Sequence, residues 1–265
     1  MANEDLDTKR NYLVVKGNEL VQQSRFELSL PEQKTIAFIC SMIKPVTKED
    51  KENGVPFQLE YEFNIREYCK VCGISYDSGK NYAEVKATLK RLRDRSMWLV
   101  MPDGSESLVG WLAKVNTNKK SGIAKIKIDE DLVPYLFDLG QRFTQYQLKN
   151  ILGMKSAFSV RIYELMKSYA FQKNKIFELE ELKGLLMVEN VKSYKNFKDF
   201  RRYVLEKAQE EINELTDINI CFEPITKGRK VVGIKFIVEK KNGLDRAIAN
   251  IKTDNRLNER TREKK

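Results

Sequence analysis

Hydrophobic residues at four-residue steps predict a helix in the stretch that begins near Tyr194. The stripe consists of Phe197, Phe200, Val204, Ala208, Ile212 and Leu215. Such spacing places side chains on one face of a helix, which is expected to pack inward. The opposite face is basic at its start and acidic at its end, with the bases Lys195, Lys198, Arg201 and Arg202. Because a helix dipole favours acids at its N-terminus, these bases indicate an anionic ligand such as DNA phosphate.

After this helix, the apolar residues alternate with polar ones on two predicted strands. The alternating residues are Ile218, Ile220 and Phe222 on the first strand and Val232, Ile234, Phe236 and Val238 on the second. The turn between the strands carries Lys227, Arg229 and Lys230. A basic helix followed by a hairpin with a basic tip is typical of a winged helix, whose helix enters the major groove of DNA. The pattern leaves open a solvated helix followed by an ordinary surface hairpin.

The first half of the chain repeats this order of elements. A helix predicted over residues 80–95 has an inner stripe of Tyr82, Val85, Leu89 and Leu92, and its other faces carry Lys80, Lys86, Lys90, Arg91, Arg93 and Arg95. Strands are predicted over residues 97–101, 108–115 and 123–128, and the turn before the last contains Lys119 and Lys120. The repeat is one of architecture and not of sequence letters. It predicts an α+β protein with two tandem winged-helix domains.

The predicted elements and the composition between them suggest five segments. They are a disordered N-terminus (1–12), an N-terminal winged-helix domain (13–140), a linker (141–155), a C-terminal winged-helix domain (156–241) and a basic tail (242–265). In the tail we expect at most a turn or two of helix around Leu244, Ile248 and Ile251, followed by fraying. Its bases either add nonspecific affinity for DNA or only keep the tail soluble.

Composition narrows the classes of function. The 265 residues are 42% hydrophobic, which is sufficient for two domains with cores, and the net charge of +10 favours a polyanionic partner. No histidine occurs, which excludes Ser-His-Asp and Cys-His catalytic sites, histidine-containing zinc sites and the paired-histidine metal site of nicking nucleases. The absence of a GxxxxGK[ST] motif argues against an ATP-driven motor. We therefore expect a protein that is not an enzyme and that uses no cofactor or metal.

Of the four cysteines, Cys69 and Cys72 are expected to be buried, reduced thiols. Cys69 and Cys72 have the spacing of half a zinc knuckle, but no second such pair accompanies them. The N-terminal residues lack the apolar core of a signal peptide, and the longest near-apolar run, residues 35–43, is too short to cross a bilayer. The sequence therefore predicts a cytoplasmic protein without membrane association.

Several motifs occur in the order typical of one protein family. They are VKGNELVQQSRFELSLPEQKTIAFICSMI (15–43), FTQYQLKNILGMKSAFSVRIYELMKSY (143–169), NFKDFRRYVLEKAQEEINELTDI (196–218) and KGRKVVGIKF (227–236). Together they resemble plasmid replication initiators of the Rep_3 type, over roughly residues 12–240. The residues after 242 lie outside the resemblance.

The resemblance implies that two winged-helix domains together bind direct repeats of the plasmid origin, called iterons, in double-stranded DNA. Monomers are then expected to open the adjacent A+T-rich DNA and to recruit the host replication initiator and helicase. Homodimers, in equilibrium with monomers and formed largely through the N-terminal domain, are expected to repress the protein's own promoter or restrain replication. Tyr203 stands where some relatives have a third consecutive base, which puts the base preference at that point in doubt.

The basic clusters of both halves are expected to contact DNA. In the N-terminal half these are Lys80, Lys86, Lys90, Arg91 and Arg93 of the helix and Lys119 and Lys120 of the turn, the alternative being the polar outer face that any amphipathic helix needs. Arg201 and Arg202 are expected to read a base or hold phosphate, whereas Lys195 and Lys198 are expected to clamp phosphate. The bases of the turn, Lys227, Arg229 and Lys230, are expected to grip the backbone. A transcriptional repressor without origin activity would use the same residues. An RNA-binding or purely structural protein is less favoured, since the aromatic platforms of single-strand readers are not evident.

Overall fold

A computed structural model describes residues 6–76, 79–100, 103–140 and 142–262. Predictions that fall on residues 1–5, 101, 141 and 263–265 lie outside the described residues. They include the first part of the predicted disordered N-terminus and the last bases of the predicted tail.

The N-terminal half contains one winged helix preceded by short elements. In chain order the elements are α1 (Leu6–Arg10), β1 (Leu13–Gly17), α2 (Asn18–Gln22), α3 (Leu30–Met42), α4 (Lys48–Glu52), β2 (Glu60–Asn64), α5 (Ile65–Val71), α6 (Lys80–Asp94), β3 (Ser96–Val100), β4 (Glu106–Gly110), β5 (Leu112–Asn118), β6 (Ile123–Ile128) and α7 (Val133–Leu136). Strands β2, β6 and β5 pair in that order, and α6 packs against both α3 and β5. The strand predicted over residues 108–115 is two strands, because the chain bends at the buried Trp111.

The C-terminal half repeats the winged helix. Its elements are β7 (Phe143–Gln147), α8 (Lys149–Leu152), α9 (Ala157–Tyr169), β8 (Asn174–Glu178), α10 (Leu179–Leu185), α11 (Phe197–Phe200), a π-helical turn (Arg201–Glu206), α12 (Lys207–Leu215), β9 (Ile218–Lys227), β10 (Lys230–Lys240) and α13 (Gly243–Arg262). Strands β8, β10 and β9 pair in the order of β2, β6 and β5. This shared topology confirms the predicted α+β fold with two winged-helix domains.

The segment predicted to be a linker, residues 141–155, is instead part of the folded body. Strand β7 pairs antiparallel with β1, with Val15 opposite Gln145. Tyr146, Leu148 and Ile151 are buried in the core. The prediction was wrong because the apolar run is short and its partner strand lies far away in the sequence.

The predicted disorder of residues 1–12 is also incorrect for the described part of that segment. Helix α1 packs against α5. The buried guanidinium of Arg10 donates to the carbonyl oxygens of Val71 at 3.0 Å and Lys70 at 3.1 Å. Helices leave their last carbonyls unpaired, so Arg10 completes the C-terminal end of α5.

The predicted basic tail is a long helix, α13, that packs on the rest of the protein. Its buried residues are Ala249, Thr253 and Leu257. Leu244, Ile248 and Ile251, around which only a turn or two of helix was predicted, are exposed. Among the residues that the structure describes, no helix is sufficiently long and apolar to span a membrane.

Buried polar contacts join the two halves. Lys16 Nζ on β1 lies 2.6 Å from Glu164 Oε1 on α9, and the hydroxyl of Tyr146 donates to the same oxygen. Arg161 on α9 donates to the carbonyl oxygen of Ser24 at 2.8 Å, and its guanidinium carbon lies 4.6 Å from the ring centroid of Phe26. The two winged helices therefore share one continuous interior.

Candidate nucleic-acid interface

The helix that precedes the C-terminal wing runs from Phe197 to Leu215 and is called the C-terminal recognition helix below. The side-chain oxygen of Asn196 accepts the backbone N–H of Lys198 at 3.0 Å and caps its start. The ring of Phe200 is fully buried, with its centroid 6.1 Å from that of Tyr194. Because Phe200 faces inward, the adjacent Arg201 and Arg202 are exposed, as the apolar stripe predicted.

A π-helical turn, Arg201–Glu206, interrupts the helix where these two arginines project. In a regular α-helix, four residues turn the chain by about 40° more than one full turn, so side chains spaced four apart gradually move away from one face of the helix. Phe200, Val204, Ala208 and Ile212 are nevertheless all fully buried. The wider π turn offsets this drift. The unbroken four-residue spacing was therefore a signal of the π turn that our sequence analysis missed, and such turns are frequent at functional sites.

The exposed bases of this helix have weak internal partners. Arg201 Nε lies 2.8 Å from Glu206 Oε1, and both side chains are about half exposed. An exposed ion pair of this kind contributes only about 0–1 kcal/mol, so phosphate or a base edge can replace it. The guanidinium carbon of Arg202 lies 5.4 Å from the ring centroid of the exposed Tyr203. Lys198 has no ion pair with any residue that the structure describes.

Lys195 does not lie on the recognition helix. It ends a 3-10 turn, Lys192–Lys195, that precedes the helix, because Asn196 is in an extended conformation between the two. Lys192 is exposed in the same turn and was not among the predicted DNA contacts. Its three-residue spacing from Lys195 was the signal that could have identified it.

The wing is a hairpin with a two-residue turn, Gly228 and Arg229. Gly228 has φ +63°, which a residue without Cβ adopts readily. Lys227 and Lys230 are direct cross-strand partners, and all three bases of the tip are exposed. Like charges placed opposite each other destabilise a sheet. This arrangement favours a polyanion that neutralises them.

The N-terminal basic helix, α6, borders a cleft against β5. The cleft is lined by Ala83, Lys86, Ala87, Lys90, Arg93, Ala113, Lys114, Val115 and Thr117. Lys90 pairs with Asp94, and Arg93 Nη1 lies 3.9 Å from the same carboxylate. Lys80, Lys119 and Lys120 are exposed, the latter two in the turn between β5 and β6. Lys114 and Thr117 also line the cleft and were missed; alternation along β5 could have placed Thr117 on the same face as Val115, but it places Lys114 on the opposite face.

Arg91 is not one of the free bases of α6. Its Nε donates to Glu32 Oε1 on α3 at 2.7 Å, and Nη2 donates to Thr88 Oγ1 at 3.0 Å. Burial disfavours the Glu32 carboxylate, but hydrogen bonds from Ser29 and Arg91 outweigh it and lower the pKa of Glu32. Arg91 therefore ties α6 to α3. The side chain is still 46% exposed, and its contact with DNA stays a prediction.

Cys69 and Cys72 are free thiols in the interior, as predicted. Burial raises the pKa of Cys69 to about 11 and that of Cys72 to about 12. Within the described ranges, no group of three or more histidine, cysteine, aspartate and glutamate side chains is arranged to hold a metal ion.

Two winged helices in series, each with an outward basic helix and a basic hairpin tip, define a tandem winged-helix protein. The chain belongs to the family of initiator replication proteins. The family model described as "Initiator Replication protein, WH1" matches residues 13–167, and "Initiator Rep protein, WH2" matches residues 178–238. The resemblance identified in the sequence is thereby confirmed.

Individual relatives agree with the family. The chain is 26% identical over 242 residues to a "Replication initiation protein" of Escherichia coli, covering 88% of this chain and 71% of the relative. It is 29% identical over 262 residues to the "PI protein" of Escherichia coli, covering 87% and 84% of the two chains. A solved structure, "Crystal structure of Pi initiator protein in complex with iteron DNA", has the same fold, with a TM-score of 0.66 and 22% identity over 88% of this chain and 99% of that one.

Proposed function

We propose that this protein initiates replication of a plasmid by binding iterons at its origin in double-stranded DNA. Family membership supports the role in initiation, and the related Pi initiator is described in complex with iteron DNA. The observation that carries the proposal is the basic face of the C-terminal winged helix. There Lys198, Arg201 and Arg202 project from the recognition helix, while the wing of the same domain presents its exposed bases. Arginine side chains can pair with the edges of guanine bases and lysine side chains with phosphates, and this face presents both kinds of side chain.

In the N-terminal domain, α6 and the β5–β6 turn form the second DNA-binding surface. Lys80, Lys86, Lys119 and Lys120 are exposed and have no ion pair with any described residue. Two such modules on one chain can contact two segments of a single repeat, in the way that paired readers contact half-sites about one helical turn apart.

We further propose that monomers open the origin and recruit the host initiator and helicase, whereas homodimers repress the protein's own promoter. The β3–β4 hairpin of the N-terminal domain supports a dimer contact. Trp98 and Leu108 face each other across this hairpin and are 61% and 57% exposed. Large apolar side chains exposed together are a common mark of a protein interface. These steps take place in the cytoplasm, where the plasmid resides.

The initiator is proposed to act without a catalytic step of its own. The absence of histidine and of a P-loop motif supports this, because the usual nicking and motor sites need them. Incubation with supercoiled origin DNA and a divalent metal is expected to leave the DNA closed. Metal-dependent nicks that persist after purification to homogeneity would contradict the proposal.

Footprinting on the DNA beside the protein's own gene tests the main proposal. We expect regularly spaced protection over direct repeats, and we expect Arg201→Ala plus Arg202→Ala to weaken it by at least about tenfold, since each arginine–base contact contributes about 1–3 kcal/mol. The control is Arg142→Ala plus Arg246→Ala, which removes the same charge from exposed sites elsewhere.

The pattern of protected DNA distinguishes the candidate functions. Protection of a single promoter palindrome would favour the alternative, a winged-helix repressor without origin activity. Equal protection by the Arg201 and Arg202 variant and by the wild type would refute the recognition-helix assignment.

A further inference from the structure

Helix α13 runs from the end of the wing back across the C-terminal domain. Its Thr253 Oγ1 donates to the carbonyl oxygen of Leu215 at 3.2 Å, at the end of the recognition helix. Arg256 pairs with Glu214 on α12, and its Nη1 lies 3.9 Å from the buried carboxylate of Glu211. The middle of α13 is therefore attached to the end of the helix that presents Arg201 and Arg202.

The last turns of α13 reach α8, which lies between the two domains. The guanidinium of Arg260 donates to the carbonyl oxygens of Leu152 at 3.1 Å, Gly153 at 3.1 Å and Met154 at 3.3 Å. Lys34 on α3 of the N-terminal domain donates to two of the same oxygens, at 2.6 Å and 2.8 Å. One basic side chain from each side thus donates hydrogen bonds to the C-terminal end of α8.

The N-terminal domain also receives α13 directly. Leu257 is fully buried against Gly73, which follows α5. Gly73 has φ +64°, and a Cβ added there would lie 2.6 Å from Leu257 Cδ2, so the absence of a side chain makes room for Leu257. Arg10, which completes the end of α5, has its Nη1 3.9 Å from Asp254 on α13. The contacts of α13 therefore cover both domains.

We propose that α13 is a strap that fixes the distance and rotation between α6 and the C-terminal recognition helix, residues 197–215, with Leu257 and Arg260 as its positioning residues. The inference rests on the proposed function, because it concerns how the two domains match one repeat. One added base pair shifts a DNA half-site by about 3.4 Å and rotates it by about 35°. A protein whose two readers are held rigidly accepts one spacing between half-sites and rejects others. The strap therefore determines which spacing between half-sites the protein accepts, although its own residues do not contact DNA.

The first test measures the shape of the full-length protein without DNA by small-angle X-ray scattering. Leu257→Asp and Arg260→Ala are compared with Ile251→Asp and Lys252→Ala, which likewise replace an aliphatic residue by aspartate and a basic residue by alanine, but at exposed positions of the same helix. We expect a larger radius of gyration and a broader distance distribution for the first two only. If Leu257→Asp fails to fold by circular dichroism, Arg260→Ala decides alone. Distributions identical to wild type for the folded strap variants would overturn the proposal.

The second test uses the repeat defined by the footprint, as the native duplex and with two base pairs inserted between its two protected segments. Wild type and controls are expected to prefer the native duplex by about tenfold or more, the discrimination expected of a mismatched site. The strap variants are expected to bind both duplexes within about twofold, because their domains adjust independently. A uniform loss of affinity with the preference intact would overturn the proposal, because simple destabilisation gives that result. If wild type protects no direct repeat, the proposed function fails, and the scattering comparison still decides whether α13 holds the domains together.

Discussion

Replacement of Lys16 by methionine is expected to lower the free energy of unfolding by about 3–5 kcal/mol, because it removes the cation from a buried carboxylate. Lys16 Nζ lies 2.6 Å from Glu164 Oε1, and each side chain is 6% exposed. Methionine has a similar length and flexibility, so the change removes charge more than packing. Denaturant unfolding at pH 7, followed by circular dichroism, measures the loss.

The matched control is Lys125→Met, the same substitution in an exposed pair. Lys125 Nζ lies 3.0 Å from Glu62 Oε2, and the two side chains are 67% and 61% exposed. A change within about 0.5 kcal/mol is expected there. The double variant Lys16→Met plus Glu164→Met is expected to be more stable than Lys16→Met alone, since it removes the buried carboxylate that has lost its ion-pair partner, although the buried Arg161 also loses its attraction to that carboxylate. If the double variant loses as much free energy of unfolding as Lys16→Met and Glu164→Met lose in sum, the two residues contribute independently and not as a pair.

The same pair predicts how stability depends on pH. Burial disfavours the Glu164 carboxylate, but Lys16 and the Tyr146 hydroxyl outweigh it and hold the pKa of Glu164 below its ordinary value of 4.5. A carboxyl with a lowered pKa in the folded state stabilises the fold above 4.5, and this contribution is lost as the pH falls through the lowered pKa. In Lys16→Met the Glu164 carboxylate loses its ion-pair partner and keeps only the electrostatic attraction of Arg161, so its protonation becomes easier. The stability difference between the two proteins should therefore shrink from pH 7 towards pH 4.

The winged helices could be predicted because their signals are local. The four-residue stripe around Phe200 and the alternation through Ile234 each specify an element from neighbouring residues alone. The shared strand order of the two sheets follows once those elements pack. In both halves, basic residues on one helix and at the tip of the following hairpin indicated the two elements expected to contact DNA.

The missed elements depend on partners that are distant in the sequence. Strand β7 is held by β1, about 130 residues earlier, so its short apolar run resembled a linker. Helix α13 buries Ala249, Thr253 and Leu257, whereas its aliphatic residues Leu244, Ile248 and Ile251 face solvent. The apolar residues Leu244, Ile248 and Ile251 therefore predicted only a turn or two of helix, and partners such as the Leu152 carbonyl were invisible in the sequence.

The roles of individual bases were only partly predictable for the same reason. Charge patterns place Arg91 and Lys86 on the outer surface of one helix, and both are exposed. The sequence cannot show that Glu32, about 60 residues earlier, lies under Arg91 and holds it. A basic residue can be predicted to face outward, but whether it is free for DNA depends on tertiary contacts.

Phe200→Ala is expected to lower the free energy of unfolding by about 3–5 kcal/mol, as for other buried phenylalanines. The ring is fully buried, and its centroid lies 5.9 Å from Lys183 Nζ and 6.1 Å from the ring of Tyr194. Because this ring fixes the rotation of the recognition helix, its loss should also misdirect Arg201 and Arg202. Thermal unfolding and DNA affinity are measured together, the latter at a temperature where the variant is folded. Phe171→Ala, at a position 69% exposed, is the control and should change neither quantity. A folded Phe200→Ala that binds the repeat as tightly as wild type would show that the arginines are aimed by the π turn and its flanking contacts, not by the buried ring.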